Sequence, residues 1–247
     1  MLVELFTIFR KVHIFALNIL FPIKCVSCAK EGDWLCENCF AKIKFLDEHI
    51  CGVCEKMITP DGRTCQSCRK KSSISGLIVA TSYKNNLIAH LVHLYKYRFV
   101  SDLHKELGEI LAKALQKTDV PLPDIIVPVP LHYRRLRWRG FNQSLLLARY
   151  LSANLLPQFE IPLKECLARN RYTPPQMKIK NYHSRQQNLA DAFSITELKE
   201  VKNKTVLLVD DIATTGSTIF ECAKVLRKAG AKEVFAIVIA RQEMKSV

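Results

Sequence analysis

The chain has 247 residues, 49% of them hydrophobic, and 37 Lys and Arg against 23 Asp and Glu give it a net charge of +14. This apolar content supports a packed core and excludes global disorder. No run of about 18 uncharged apolar residues occurs, which argues against a membrane-spanning helix. The positive charge suits a polyanionic partner, nucleic acid or an anionic membrane face, and it equally suits plain solubility.

Residues 1–22 predict an amphipathic helix. Leu5, Ile8, Phe9, Val12, Phe15, Ile19 and Leu20 recur near a 3.6-residue period, and Pro22 stops it. The stretch lacks the basic leader and small-residue cleavage site of a signal peptide. It reads as a helix packed on the next domain rather than one lying on a membrane. The expected location is cytoplasmic, with a peripheral place at the inner membrane face as the alternative. Residues 23–72 hold eight of the ten cysteines, and the polar Arg69 to Ser73 marks a boundary. Residues 73–247 then read as one α/β domain. Gly76 to Ser82 predicts a strand, and Asn86 to Tyr97 and Asp102 to Gln116 predict helices. Asp124 to Val129 is a buried strand ending in a Pro128-Val129-Pro130 turn. Phe141 to Leu155 is helical. Arg169 to Asn188 is polar, contains Pro174-Pro175 and predicts a long flexible loop. Thr205 to Val209 and Glu233 to Ile239 are core strands, and Ser217 to Ala229 is a helix capped by Gly230. This alternation implies a mostly parallel sheet covered on both faces.

The cysteines come as four Cys-x-x-Cys pairs: Cys25/Cys28, Cys36/Cys39, Cys51/Cys54 and Cys65/Cys68. One such turn presents two thiolates, and two turns complete a tetrahedral structural zinc site. Eight cysteines therefore suit two zinc ions that supply folding energy to a segment too short for its own core. Sequential pairing of the knuckles is simplest, and interleaved pairing is also open. Cys166 and Cys222 read as ordinary buried cysteines.

Val206 to Thr218 is a buried strand, two acids, a hydroxyl-rich loop and the start of a helix. In α/β proteins such a loop binds phosphate. Backbone N–H groups and the hydroxyls of Thr214, Thr215, Ser217 and Thr218 are donors for an anion. Gly216 permits close approach and unusual backbone angles, and Ala213 belongs to the same phosphate site. Asp210 and Asp211, following Val209, would repel phosphate, so they suit ribose hydroxyls or Mg²⁺. The ligand that combines these features is ribose 5-phosphate, or its 1-pyrophosphate, PRPP.

This stretch resembles the PRPP-binding motif of type I phosphoribosyltransferases. With the cysteine knuckles, Pro128-Val129-Pro130, Arg139 to Ser144, Leu147-Ala148 and the segment from Arg169 to Phe193, it resembles the ComF family of competence proteins over about residues 23–241. The resemblance implies a phosphoribosyltransferase-like α/β domain behind a double zinc ribbon. It also implies a part in natural transformation, in which imported single-stranded DNA is handled with a ComFA-type helicase. It implies Asp210 and Asp211 as the catalytic pair of any transfer, with Mg²⁺ arriving with PRPP. Arg134, Arg135, Arg137 and Arg139, in the turn Pro130 to Gly140, would hold pyrophosphate or a DNA backbone. The loop carrying Arg169, Gln176 and Arg185 would close over the sugar. Only Arg241 to Val247 follows the last strand, which is short for a nucleobase hood. Two other readings are therefore open: transfer of phosphoribose to a nucleobase-like acceptor, and a non-catalytic regulator that responds to PRPP.

Overall fold

Sheet formation follows the unbroken apolar runs of the sequence. The computed structural model describes residues 22–59, 61–172 and 191–242, so the helix expected over residues 1–22 lies outside them except for Pro22. The chain forms two compact units, Met1–Ile43 and Lys44–Val247. The first contains the short helix α1 (Glu37–Phe40) beside its cysteines.

The second unit opens with a two-stranded antiparallel ribbon, β1 (His49–Ile50) and β2 (Ile58–Thr59), and the short helix α2 (Gln66–Arg69). Then come β3 (Gly76–Ser82), α3 (Asn86–Tyr97), a 3₁₀ turn at Ser101–Leu103 and α4 (His104–Gln116). They are followed by β4 (Ile125–Pro128), α5 (Tyr133–Arg139), α6 (Gln143–Asn154) and the antiparallel pair β5 (Leu167–Arg169) and β6 (Phe193–Ile195). The last elements are β7 (Thr205–Val209), β8 (Ile212–Ala213), α7 (Ser217–Lys228) and β9 (Glu233–Arg241).

The main sheet is parallel, in the order β3-β9-β7-β4, and β8 pairs with β9 beyond the end of β7. Val209 lies opposite Ile237 and Ile212 opposite Ala240, the same sequence offset, so β9 carries both strands in one register. Asp210 and Asp211 sit between them. Asp210 N–H donates to the Ile237 carbonyl at 3.1 Å, and the Asp211 carbonyl accepts from Ile239 N–H at 3.0 Å. The two acids therefore remain in the ladder.

Alternate residues of each strand face opposite sides. Leu77, Val127, Leu208 and Ala236 join Ile219, Cys222 and Leu226 of α7 in one core. The intervening Ile78, Ile126, Leu207 and Ile237 are just as buried, and α4 and α6 pack together on the sheet. Both faces are thus covered, which is why these strands lack a polar alternation.

The cysteine segment of the second unit is fused to this sheet. Leu77 N–H donates to the Gly62 carbonyl at 2.7 Å, and Thr64 N–H to the Ser75 carbonyl at 2.8 Å. Gly62 has φ +68, and a Cβ there would meet the Leu77 carbonyl oxygen at 2.8 Å, so only glycine allows this approach. Arg63 places its guanidinium 5.5 Å from the centre of the Phe235 ring. Truncating the buried Phe235 to alanine would cost about 3–5 kcal/mol.

Candidate functional site

The eight knuckle cysteines form two tetrads, Cys25/Cys28/Cys36/Cys39 and Cys51/Cys54/Cys65/Cys68, with the sulfurs of each within 4.8 Å of one another. Pairing is therefore sequential. A tetrahedral ion with Zn–S bonds near 2.3 Å separates its sulfurs by about 3.8 Å. The Cys28–Cys36 and Cys54–Cys65 sulfurs are 3.5 and 3.8 Å apart. Four thiolates leave no open coordination position, so these are structural zinc sites. Cys166 and Cys222 are buried away from them, and burial pushes both thiols upward, Cys166 to about 11.

The second centre is a cleft of about 740 Å³ over the C-terminal ends of β4 and β7. Asp210, Asp211, Thr214 and Thr218 are among the residues that line it. The loop between them is internally braced. Thr215 and Ser217 are buried, and their hydroxyls lie 2.7 Å apart. Gly216 caps α7 with φ +74, and a Cβ there would meet the Phe220 ring at 2.9 Å. Of the four hydroxyls, Thr214 and Thr218 thus line the cleft, whereas Thr215 and Ser217 hold its shape. Val209 and Ala213 are buried ends of β7 and β8.

Both acids use Oδ1 on the protein. Asp210 Oδ1 accepts from Ser144 Oγ at 2.8 Å and from Asp211 N–H at 2.9 Å. Asp211 Oδ1 accepts from Ile212 N–H at 2.6 Å and meets Lys96 Nζ at 2.8 Å. Burial, then the charge of Asp211, pushes Asp210 up to about 7, against the pull of Lys96. Burial opposes the charge on Lys96, but Asp211 and Asp210 outweigh it and raise Lys96 above its ordinary value. Lys96 carries no motif in the sequence. Only the packing of α3 on the end of the sheet brings it to the acids, so sequence reading misses it.

The cleft is also strongly cationic. Arg134, Arg135, Arg139 and Arg169 line the cleft, and Arg137 does not. The segment expected as a turn is largely helical: α5 spans Tyr133–Arg139 and ends at Gly140, φ +82. None of its residues is buried, so no apolar period marks it in the sequence. Helical geometry points successive arginines in different directions, which is why Arg137 leaves the group. Arg139 Nη1 donates to Gln143 Oε1 at 2.7 Å. Arg139 Nε and Gln143 Nε2 are buried donors with no hydrogen-bond acceptor among the described residues. Burial lowers Arg139 and Arg169, and the neighbouring charge of Arg135 adds to the effect at both. Gln176 and Arg185 lie outside the described residues.

The Phosphoribosyl transferase domain family matches residues 142–246, and the Double zinc ribbon domain family matches residues 16–74. The chain is 32% identical over 233 residues to Competence protein F of Haemophilus influenzae, covering 90% of this chain and 98% of that protein. It is 33% identical over 208 residues to the DNA utilization protein YhgH of Escherichia coli K12, covering 82% of this chain and 88% of that protein. Competence protein ComFC of Bacillus subtilis is 23% identical over 210 residues, 81% of each chain. Among the described residues, no helix is long and apolar enough to cross a membrane.

Proposed function

Since the chain belongs to the ComF family of competence proteins, we propose that its cleft binds PRPP or ribose 5-phosphate while the protein handles single-stranded DNA during uptake. The observation that carries this reading is the cleft's polarity. Two acids, two threonines of the loop and four guanidiniums line one cavity. A ligand that suits this mixed lining needs hydroxyls for the acids and anionic oxygens for the loop and the arginines, as a phosphorylated sugar has.

In this reading the 5-phosphate takes the Thr214 to Thr218 loop, where the α7 dipole and backbone N–H groups favour an anion. Ribose hydroxyls donate to Asp210 and Asp211. The diphosphate lies against Arg135, Arg139 and Arg169. There it satisfies the orphaned donors of Arg139 and Gln143, each of which costs about 1–3 kcal/mol while unpaired. The donor set fits Mg²⁺ only as a guest of the ligand. Lys96 already neutralises Asp211, so the acids form no closed cage for a cation. A hydrated Mg²⁺ bound through diphosphate oxygens is compatible with such a site. DNA handling is supported by the net charge of +14 and by a relative whose name ties it to DNA utilization.

Calorimetry of PRPP with Mg²⁺ on wild type and on Asp210→Asn/Asp211→Asn tests the reading. Saturable binding that the double variant loses, while a melting curve shows it folded, supports a phosphosugar site. Absence of binding by folded, zinc-loaded wild type would refute it.

A further inference from the structure

We infer that the rings of Tyr97 and Trp138, which line the cleft, and of Phe99, which packs on Trp138, form a platform that stacks an unpaired base of a single-stranded nucleic acid. This deepens the proposed function and rests on it for the class of partner.

Three large rings stand in solvent together. Trp138 is 61% exposed, Tyr97 43% and Phe99 40%. Phe99 meets Trp138 edge to face, with centroids 5.0 Å apart and planes at 85°. Phe99 also has φ +58, a backbone state that bulky residues rarely occupy. Such strain persists only where neighbouring structure enforces it, and it concentrates at functional positions. Here it holds the ring beside Trp138 at the protein surface.

The surroundings select the partner. Tyr97 to Val100 and Pro130 to Asn142 together contain five arginines and no acidic residue. The Arg139 guanidinium lies 5.8 Å from the Trp138 ring centre and 6.0 Å from that of Tyr97. Rings interleaved with guanidiniums suit a single strand, since bases stack on rings while phosphates pair with arginines. Tyr97 and Trp138 also line the cleft. A base stacked on them therefore lies next to the pocket assigned to the phosphosugar, where a transferase would need its acceptor.

The test uses the full zinc-loaded chain. It has two tryptophans, so Trp34→Phe leaves Trp138 as the sole tryptophan reporter. Three probes are titrated: a homothymidine oligonucleotide of about 12 nucleotides, an abasic strand of equal length, and a poly-glutamate peptide. Stacking quenches Trp138 emission with the thymidine strand only. In an otherwise wild-type background, Trp138→Ala weakens that strand by about 5- to 100-fold, the usual worth of one stacked base, and leaves the abasic strand unchanged. Equal affinity for both strands without quenching would overturn the platform. So would a poly-glutamate response that matches the thymidine strand and competes with it, because the surface would then be a protein-docking one. PRPP calorimetry on wild type separates the two ideas. If PRPP binds and no base stacks, only the platform fails; if PRPP does not bind, the cleft reading fails whatever the strand does.

Discussion

The two cysteine tetrads are built alike and embedded differently. In each, the residue after the second cysteine is left-handed, Ala29 at φ 61 and Glu55 at φ 56. Its N–H donates to the carbonyl of the first cysteine, at 2.8 Å in one and 2.9 Å in the other. In each, the third cysteine's N–H points at the first cysteine's sulfur at 3.4 Å. Yet the first tetrad belongs to Met1–Ile43 and the second to Lys44–Val247. Between its knuckles the second carries Gly62, Arg63 and Thr64, which join β3 and Phe235. Arg241, at the end of β9, donates to the Gly52 carbonyl and pairs with Glu55. Metal chemistry sets the local turn, and the residues between the knuckles decide whether the ion supports one ribbon or a whole domain.

The strongest way to break this contrast is to remove one ligand from each tetrad. Cys51→Ser is expected to lose one zinc and lower the main melting transition by roughly 10 °C or more, since about 1 kcal/mol moves a domain of this size by 2–4 °C. Cys25→Ser also loses one zinc and leaves that transition in place. Colorimetric zinc release with thermal denaturation reads both, and equal effects on the main transition would abolish the distinction. A sharper form is the fragment 44–247. It should fold, hold one zinc per chain and bind PRPP within about threefold of the full chain, a difference under 1 kcal/mol, as measured by metal analysis and calorimetry.

A smaller effect is expected from Glu55→Ala, which leaves the Arg241 charge half-satisfied. The pair is partly solvent-screened, so the cost is about 1–2 kcal/mol. A double-mutant cycle with Arg241→Ala should recover most of it as coupling. The last effect, read as a change of affinity over two pH units, concerns Asp210. Its folded pKa is raised from 3.8 to about 7 by burial and by Asp211. The stabilisation from the protonated carboxyl is therefore complete below about 3.8 and is lost as pH rises through about 7. Ligand hydroxyls need the ionised form, so PRPP affinity should rise with pH through about 7. Calorimetry between pH 6 and 8 should show this midpoint unchanged by Cys25→Ser and absent in Asp210→Asn.

Much of the fold is legible in the sequence, because local signals and tertiary needs agree there. The bounds expected for β3, α3 and β7 are those observed. All eight zinc ligands are equally plain, since two thiols on one turn are a local device. What is hidden depends on long-range packing. Strand order, the Lys96–Asp211 pair and the Ser144–Asp210 bond join residues far apart in sequence. The pairs β5–β6 and β8–β9 involve two or three residues, too few for an alternation to show. Helix α5 buries nothing and begins at His132, whose ring Nδ1 accepts from Arg134 N–H in place of a serine or aspartate cap.

Strand β9 pairs along one side with β3 and along the other with β7 and then β8, and its final arginine reaches the residue beside Cys54. Hydrogen exchange should register this as a single cooperative opening unit. The amides of Phe235 to Ile239 and those ringing the second tetrad would exchange together, at the slowest rate in the protein. Chelating that zinc would then raise exchange at the amides of Asp210 and Ile239, because the first donates to this strand and the second donates from it to the Asp211 carbonyl.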